Sequence, residues 1–529
     1  MFRPDASPFS FASPAGPRLP RRRVLMAAGA GIALGLAAGE AQARIRTKSR
    51  SKAKPAAQAA TPAAAVAPIM FDETLADIHK RTFRYFWETA DPDTGLAPDK
   101  FPLKDFCSVA AVGFCLSAYV IGVKAGYVTR EEAAQRTLLT LKTLWNGPQG
   151  PAQTGVMGYK GFFYHFLDMK TGLRYRNCEL SSVDTALCLA GVLTAGAYFD
   201  GKPANEAEIR KLAMALYKRV DWTFMERNTG LISMGYHPEP NLPDHDAHGL
   251  IDRNWDRYNE GSMLVYTLAM GSPTHPIRHE TWQNWEKTLP PEWSTNFHET
   301  YLSFSPLFGH QYSHVWLDFR GIADGFMRAQ GSTYFENSQK ATIAQRNYAI
   351  RNPGQFRDYG SDVWGLTACM GPGQMEVTVG GREIHFEGYI ARGIQDGDWE
   401  SSDDGTIAPA AGLGSIAFTP DICTDLAHML RTRYGDDIYG DYGFFDAFNP
   451  TFPADVPSDS GHATKSAGWV ASQYLGIDQG PILCMLENYR SGLLWDLVCR
   501  SPLTGPYIRR AMKLAGFQPV SDQGRWLEA

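Results

Sequence analysis

Carboxylates stand beside apolar, helix-like stretches in three parts of the chain. Glu179 and Asp184 lie in CELSSVDTAL, Glu260 lies in RYNEGSML, and Asp478 and Glu487 lie in GIDQGPILCMLENYR. A buried carboxylate is unfavourable unless it is paired or hydrogen bonded. A single acid at such a place usually caps its helix or stabilises the first turn, and Asp184 and Asp478 suit that role. Several acids that converge on one cavity would instead suit paired acid and base chemistry.

Polar and aromatic residues also cluster between the predicted helices, where binding residues concentrate on a rigid scaffold. His310 and His314 have an i,i+4 spacing that could hold a metal, but no glutamate accompanies them in an HExxH arrangement. Contacts with substrate hydroxyls, or a structural role, are therefore favoured for this pair. Asp318 and Arg320 suit either a buried ion pair or substrate binding. The other candidates for substrate binding are Tyr312, Trp364 and Asp404.

The composition and the absence of certain motifs exclude several classes of function. The net charge is -5 and 12% of the residues are aromatic, so the chain has no basic footprint for nucleic acid, and its rings suit sugars as well as a core. The sequence contains no GxSxG elbow and no GxxxxGK[ST] phosphate loop. Paired carboxylates among aromatic residues indicate hydrolysis of a glycosidic bond, and this reasoning stops short of a linkage.

Two kinds of predicted helix must position these acids. Residues 107–126 and 183–199 are apolar on all sides, whereas residues 130–147 and 206–222 carry charge on one face. The alternation recurs more faintly after residue 258 and near residues 315, 405 and 468. About six such pairs predict an all-α (α/α)6 toroid, in which buried inner helices are covered by outer ones, with short β excursions near 374–390.

Residues 1–68 are predicted to lie outside this fold. Arg21, Arg22 and Arg23 precede a short apolar stretch and a small-residue site that ends at Ala43, which is typical of a twin-arginine export signal at 1–43. The Ala-, Pro- and Lys-rich segment 44–68 reads as a disordered linker, and 69–529 reads as one catalytic domain. We therefore expect a periplasmic or secreted monomer without stable membrane insertion after signal cleavage. The eight cysteines show no CxxC pair and are expected to be buried free thiols.

Several strings resemble the glucoamylase-like domain family. They include GFFYHFLDMKTG, ELSSVDTALCLAGVLTAGAYFDG, YNEGSMLVYTLAMGSPTHP, FGHQYSHVWLDFRG, YGFFDAFN and GIDQGPILCMLENYRSGLLW, within a match spanning about residues 71–517. This family includes the β-1,2-glucanases of glycoside hydrolase family 144, and a related domain occurs in cyclic β-1,2-glucan synthases. The resemblance implies an (α/α)6 barrel, no metal or organic cofactor, and a β-1,2-glucan with sophorooligosaccharide-type linkages as the substrate.

The resemblance also implies that Glu179 and Glu260 are the essential acids, with Asp478 nearby in support. Carboxyl groups roughly 6.5–9.5 Å apart would invert the anomeric centre through a water molecule, and a separation of roughly 5 Å would retain it. Inversion is favoured because the hydrolases that the chain resembles use it. Endo or exo action, a transglycosylase, a hydrolase of another β-glucan, and a non-catalytic glycan-binding protein remain open alternatives.

Overall fold

The computed structural model describes residues 69–259, 261–394 and 403–529. The predicted signal segment (1–43), the predicted linker (44–68) and Glu260 lie outside the described residues. The described residues belong to one unit by their backbone contacts. Within them, no helix combines the length and the apolar character that a membrane span requires.

Helices dominate the described part of the chain and alternate between buried and half-exposed types. They are α1 (Glu73–Thr89), α2 (Val109–Lys124), α3 (Arg130–Asn146), α4 (Ser182–Tyr198), α5 (Ala204–Arg219), α6 (Ser262–Gly271), α7 (Glu280–Glu286), α8 (Tyr312–Trp316), α9 (Gly325–Ala329), α10 (Tyr334–Arg351), α11 (Pro409–Leu413), α12 (Pro420–Tyr434), α13 (Gly476–Ser491), α14 (Leu493–Trp495) and α15 (Gly505–Leu514).

The predicted difference between apolar and charged helices is confirmed. Every residue of α2 from Val109 to Gly122 is buried, and α4 and α6 are almost as apolar on all sides. Along α3 the side chains of Ala133, Leu141 and Leu144 are buried, while much of the rest is half-buried or exposed. Burying one large aliphatic side chain contributes about 1.5–3 kcal/mol, so these apolar helices form the core.

The buried helices pack against one another and are covered by the others. α2 packs against α4 and α13, α4 packs against α6, and α8 packs against α6 and α13. α11 packs against α13 as well. The more polar helices lie outside this set: α1 contacts α2 and α13, α3 contacts α2 and α5, α5 contacts α4, and α12 contacts α11.

Two glycines allow α2 and α4 to cross closely. A Cβ atom added at Gly113 would lie 2.2 Å from the Leu187 carbonyl oxygen, and one added at Gly191 would lie 2.0 Å from the Gly113 carbonyl oxygen. Both distances are far inside van der Waals contact. The small residues in these two apolar stretches therefore set the spacing of the inner helices.

Short strands connect the helices. They are β1 (Lys100–Phe101), β2 (Phe106–Ser108), β3 (Gly158–Tyr159), β4 (Phe162–Tyr164), β5 (Phe166–Asp168), β6 (Leu180–Ser181), β7 (Gly235–Tyr236), β8 (Trp293–Asn296), β9 (Glu299–Leu302), β10 (Ile322–Ala323), β11 (Ala368–Cys369), β12 (Met375–Val379), β13 (Arg382–Phe386), β14 (Ile390–Ala391), β15 (Tyr439–Gly440), β16 (Gly443–Phe444), β17 (Phe448–Asn449), β18 (His462–Thr464), β19 (Gly468–Val470), β20 (Tyr474–Leu475) and β21 (Gln518–Pro519).

The β structure is more extensive than the sequence indicated. The excursion expected near 374–390 is the antiparallel hairpin of β12 and β13. Residues 158–172 contain β3, β4 and β5, and β3 and β4 belong to a four-stranded sheet ordered β3-β4-β6-β7. The helix expected around residue 468 is α13, which begins at Gly476, and strand β19 (Gly468–Val470) precedes it. Gly468 has a φ of +66°, which does not fit a right-handed helix.

All eight cysteines are free thiols, as predicted. Seven are buried and Cys178 is half-buried. Burial raises the pKa of Cys188 and Cys499 to about 12, so these thiols stay protonated and behave as small apolar side chains.

Candidate active site

Backbone hydrogen bonds tie the starts of three buried helices together. The amide of Val109, the first residue of α2, donates to the carbonyl of His165 (3.0 Å), and the amide of His165 donates to the carbonyl of Glu179, which precedes β6 and α4 (2.9 Å). The amide of Gly476, the first residue of α13, donates to the carbonyl of Asp99 (2.8 Å). The loops that carry His165, Glu179 and Asp99 therefore meet at one end of the inner helices.

The first turn of α4 holds Asp184 through a serine cap. Ser181 is the N-cap of α4, and its hydroxyl oxygen accepts a hydrogen bond from the Asp184 amide (3.1 Å). The same hydroxyl donates to Asp184 Oδ2 (2.5 Å). Asp184 is thus the third residue of the helix and not its cap, although its negative charge still suits the positive end of the helix dipole.

His165 joins Glu179 and Asp184 into an ion triad. Its Nδ1 lies 2.7 Å from Glu179 Oε1, and its Nε2 lies 3.6 Å from Asp184 Oδ1. Burial opposes protonation of His165, but the negative charges of Asp184 and Glu179 outweigh it and raise the pKa of His165 to about 9. Burial alone would raise the pKa of Glu179, but the His165 imidazolium lowers that pKa to about 2. Glu179 is therefore an ionised carboxylate at neutral pH.

The triad also has the composition of a metal site. The ligand atoms of His165, Glu179 and Asp184 lie within 4.8 Å of one another. A histidine can bind a metal only through an unprotonated nitrogen, whereas the raised pKa of His165 favours the imidazolium. The arrangement therefore suits a charge-assisted hydrogen bond that orients Glu179 better than it suits a metal ligand set.

A second carboxyl pair lies at the start of α13. Asp478 and Asp446 are 4% and 2% exposed, and their carboxyl groups hydrogen bond to each other. Asp446 Oδ2 also accepts a hydrogen bond from the Met370 amide (2.7 Å). Burial and the negative charge of Asp446 raise the pKa of Asp478 well above its ordinary value, which favours the protonated form of Asp478. Leu475 is the N-cap residue of α13, so Asp478 is the third residue of this helix and, like Asp184, is not a helix cap.

Asp99 interacts electrostatically with members of both the triad of His165, Glu179 and Asp184 and the pair of Asp446 and Asp478. Burial raises the pKa of Asp99 to about 6, and the negative charges of Asp184 and Asp446 act in the same direction. His165 and Lys100 oppose this effect with positive charge. The pKa of Glu179 before α4 is thus lowered while that of Asp478 at the start of α13 is raised, and such a separation of pKa values is a feature of acid and base catalysis.

The predicted histidine pair lies in an apolar environment. His310 Nε2 is 3.1 Å from the Phe304 carbonyl oxygen, and His314 Nε2 is 3.1 Å from the Ser338 hydroxyl. Burial lowers the pKa of His310 to about 4 and that of His314 to about 3, so both rings are neutral. Each ring makes its hydrogen bond through Nε2, while the Nδ1 atoms of His310 and His314 are buried without a hydrogen-bond partner among the residues that the structure describes.

Other predicted binding residues lie in separate networks. Asp318 pairs with Arg320 (2.8 Å) and Arg500, and Arg392 makes a bidentate ion pair with Asp404 (2.8 and 2.7 Å). In both networks the carboxylates are almost completely buried. These contacts fit the alternative of buried ion pairs.

The remaining candidates lie on or near α13 or in the core. Glu487 contacts His79 (3.3 Å) and Arg490 (2.7 Å) near the far end of α13 from Asp478. The Tyr312 hydroxyl donates to the carbonyl of Ile477, the residue before Asp478 (3.0 Å), and so supports the start of α13. The Trp364 side chain is fully buried. Of the predicted set, the structure brings together Glu179, Asp184 and Asp478.

Sequence reasoning did not single out His165, Asp99 or Asp446. His165 and Asp446 occur inside the strings GFFYHFLDMKTG and YGFFDAFN, each flanked by aromatic residues. No helical period marks them, because they lie in or beside short strands and loops. A polar residue within a dense aromatic string was the signal that could have identified both.

Comparison with known proteins agrees with these motifs. Residues 252–502 match the family model Glycoamylase, described as "Putative glucoamylase". An exo β-1,2-glucooligosaccharide sophorohydrolase (non-reducing end) of Parabacteroides distasonis is 28% identical over 471 residues, which are 84% of this chain and 58% of that protein. The chain thus spans somewhat more than half the length of this relative.

Solved structures of β-1,2-glucanases are also similar to this chain. The crystal structure of a β-1,2-glucanase from Parabacteroides distasonis is similar with a TM-score of 0.69 and 27% identity, covering 84% of this chain and 60% of that one. An endo-β-1,2-glucanase from Chitinophaga pinensis, in complex with sophorotriose and glucose, is similar with a TM-score of 0.67 and 26% identity, covering 84% and 98%. Residues 252–502 are therefore similar to the glucoamylase model, and proteins named as β-1,2-glucan hydrolases are among those that this chain resembles.

Proposed function

We propose that this protein is a glycoside hydrolase that cleaves β-1,2-glucan by a two-carboxyl mechanism. The observation that carries the proposal is the contact in which His165, 2.7 Å away, holds the half-buried Glu179 carboxylate ionised at the inner helix starts. A carboxyl group that its environment holds ionised can act as the base, while a second carboxyl group supplies the proton. The names of the relatives support β-1,2-glucan as the substrate.

The charge state of Glu179 supports the role of the base. With a pKa of about 2 it cannot donate a proton at neutral pH, but it can accept one from a water molecule. Its side chain is 31% exposed, so water can reach it. The motif of Glu260 then assigns that residue as the general acid, which protonates the leaving glycosidic oxygen. We propose that the reaction inverts the anomeric centre, a mechanism that requires two carboxyl groups roughly 6.5–9.5 Å apart.

An (α/α)6 barrel is the architecture that we propose for the domain. The packing of α2 with α4, α4 with α6, α6 with α8, α8 with α13 and α13 with α2 supports a closed inner set, and α11 adds a further inner helix. The more polar helices outside it support the outer layer. The inner helix starts then surround the substrate.

Glutamine substitutions test the proposal directly. Glu179→Gln and Glu260→Gln keep the shape of each side chain but remove its proton chemistry, so each should lower kcat by about two to four orders of magnitude with folding retained. The assay follows product sizes from linear β-1,2-glucan over time and the anomeric form of the first product by NMR. Glu280→Gln, an exposed change on α7, is the matched control.

The outcomes separate the open alternatives. A ladder of oligosaccharides from the wild type indicates endo action, and a single small product from the outset indicates exo action. Products longer than the substrate would indicate transglycosylation and contradict hydrolysis. Turnover near the wild-type level in Glu179→Gln would show that this residue is structural.

A further inference from the structure

A continuous line of aromatic rings runs from the ion triad toward the surface. The His165 ring stacks on Phe166 with centroids 3.9 Å apart, and Phe166 meets Phe106 edge to face at 5.0 Å. Phe106 in turn stacks on Tyr175 at 4.7 Å. Phe166 is 9% exposed, whereas Phe106 and Tyr175 are only half-buried. The outer two rings therefore keep accessible surface next to the candidate active site.

The backbone fixes these rings in place. Antiparallel pairing of β2 with β5 sets Phe106 opposite Asp168 and Ser108 opposite Phe166. The Tyr175 amide donates to the Phe166 carbonyl oxygen (2.9 Å). β2 leads directly into α2, so the rings lie at the same end of the inner helices as Glu179. Rings on strands of a rigid scaffold lose little conformational entropy when a ligand binds.

Two cations border the outer rings. Lys100 Nζ lies 5.8 Å from the centre of the Phe106 ring, and the Arg176 guanidinium carbon lies 5.2 Å from the centre of the Tyr175 ring. Arg176 is exposed and Lys100 is half-buried. Because the two rings stack on each other and a cation lies over each of them, a sugar would contact the accessible parts of the rings together with the N–H donors above them, which can bind its hydroxyl groups.

We propose that Phe106 and Tyr175, bordered by Lys100 and Arg176, form a binding subsite for a glucosyl residue remote from the bond being cleaved. This inference rests on the proposed function and adds chain-length selection to it. The subsite would contribute to the binding of longer β-1,2-glucan chains and would not take part in the chemical step. Tyr175 and Phe106 would accordingly be specificity-determining residues.

Tyr175→Ala tests the subsite with a series of β-1,2-glucooligosaccharides of increasing length. We expect KM for the long substrates to rise about threefold to tenfold with kcat nearly unchanged, since an aromatic contact of this kind is lost equally from the ground state and the transition state. The ratio of kcat/KM between long and short substrates should fall by the same factor. Phe106→Ala should change this ratio in the same direction.

Two further variants separate a subsite from packing. Tyr175→Phe keeps the ring and should restore the wild-type ratio. Trp145→Ala removes an exposed ring on α3 that also lies beneath an arginine, Arg219, at 5.1 Å, and it should leave the ratio unchanged. Calorimetric binding of a long oligosaccharide to folded Tyr175→Ala, with folding checked by circular dichroism, gives a second measurement that does not depend on turnover.

Failure of the subsite differs from failure of the proposed function. An active Tyr175→Ala enzyme with the wild-type KM for every chain length, and the wild-type calorimetric affinity, would overturn the subsite alone. A wild-type protein that releases nothing from β-1,2-glucan would overturn the proposed function. In that case equal binding of the oligosaccharides by wild type and Tyr175→Ala would overturn the subsite too.

Discussion

Replacing His165 by glutamine should shift the pH dependence of the enzyme in a defined direction. His165 is the positive partner of Glu179 at 2.7 Å and of Asp184 at 3.6 Å. Glutamine can still hydrogen bond to Glu179 but carries no charge. The variant therefore removes the electrostatic part of the triad and retains much of its shape.

The free energy of the interaction between His165 and Glu179 follows from the pKa of Glu179. Lowering it from 4.5 to about 2 corresponds to about 3 kcal/mol as an upper bound, because the side chain is 31% exposed and water screens part of the attraction. The raised pKa of His165, about 9 instead of 6.5, reports the same interaction from the other partner, so the two are not added. The stabilisation from His165 is full below pH 6.5 and is lost as the pH rises through about 9. The stabilisation from Glu179 is present above pH 4.5 and is lost as the pH falls toward 2.

The assay is kcat/KM on linear β-1,2-glucan between pH 3 and 10. In His165→Gln the pKa of Glu179 should return to 4.5 or above, since burial then acts without its counterion. The acid limb should move upward accordingly, and the loss of activity or stability near pH 9 should disappear. His248→Gln, a change at an exposed histidine, should leave the profile unchanged.

One result would refute this reasoning. If His165→Gln folds normally and keeps both limbs of the wild-type profile, the imidazolium does not hold Glu179 ionised. The role of Glu179 as the base would then lose its physical support.

Three further changes test the scaffold. Burial and the charge of Asp324 raise the pKa of Glu286 to about 7, so the wild type should lose stability as the pH rises from 4.5 through 7. The Glu286→Gln variant should show roughly 1–2 kcal/mol less of this loss. Thermal unfolding at pH 5 and pH 8 measures the difference. Arg392→Met leaves Asp404 buried without its ion-pair partner, and urea unfolding should show a destabilisation of about 3–5 kcal/mol. Ser181→Ala removes the cap of α4 and should lower the free energy of unfolding by about 1 kcal/mol.

Matched changes control for surface effects. Glu280→Gln and Arg357→Met alter exposed side chains of the same types, and both should leave unfolding nearly unchanged. A Glu286→Gln protein whose melting temperature falls with pH as in the wild type would contradict the carboxyl-pair argument. An Arg392→Met or Ser181→Ala protein as stable as the wild type would show that the ion pair or the cap is dispensable.

The sequence was sufficient for the long helices because their signals are local. The capping box of α3 joins Thr129 to Glu132, and the apolar stretch of α2 begins directly after β2, so both helices could be located within a residue or two. The sheet that contains β3 and β4 could not be predicted in this way. Its strands are two or three residues long and pair with partners from other segments, such as Leu180 with Tyr236.

The candidate site likewise contains residues that the sequence located and partners that only the tertiary structure identified. Sequence alone placed Glu179, Asp184 and Asp478 at the starts of apolar helices, since an acid before an apolar period is visible in one dimension. Only the tertiary structure decided their partners: His165 reaches Glu179 from between β4 and β5, and Asp446 reaches Asp478 from another loop. Charge state depends on burial and on charges a few ångströms away, and chain folding alone sets those distances.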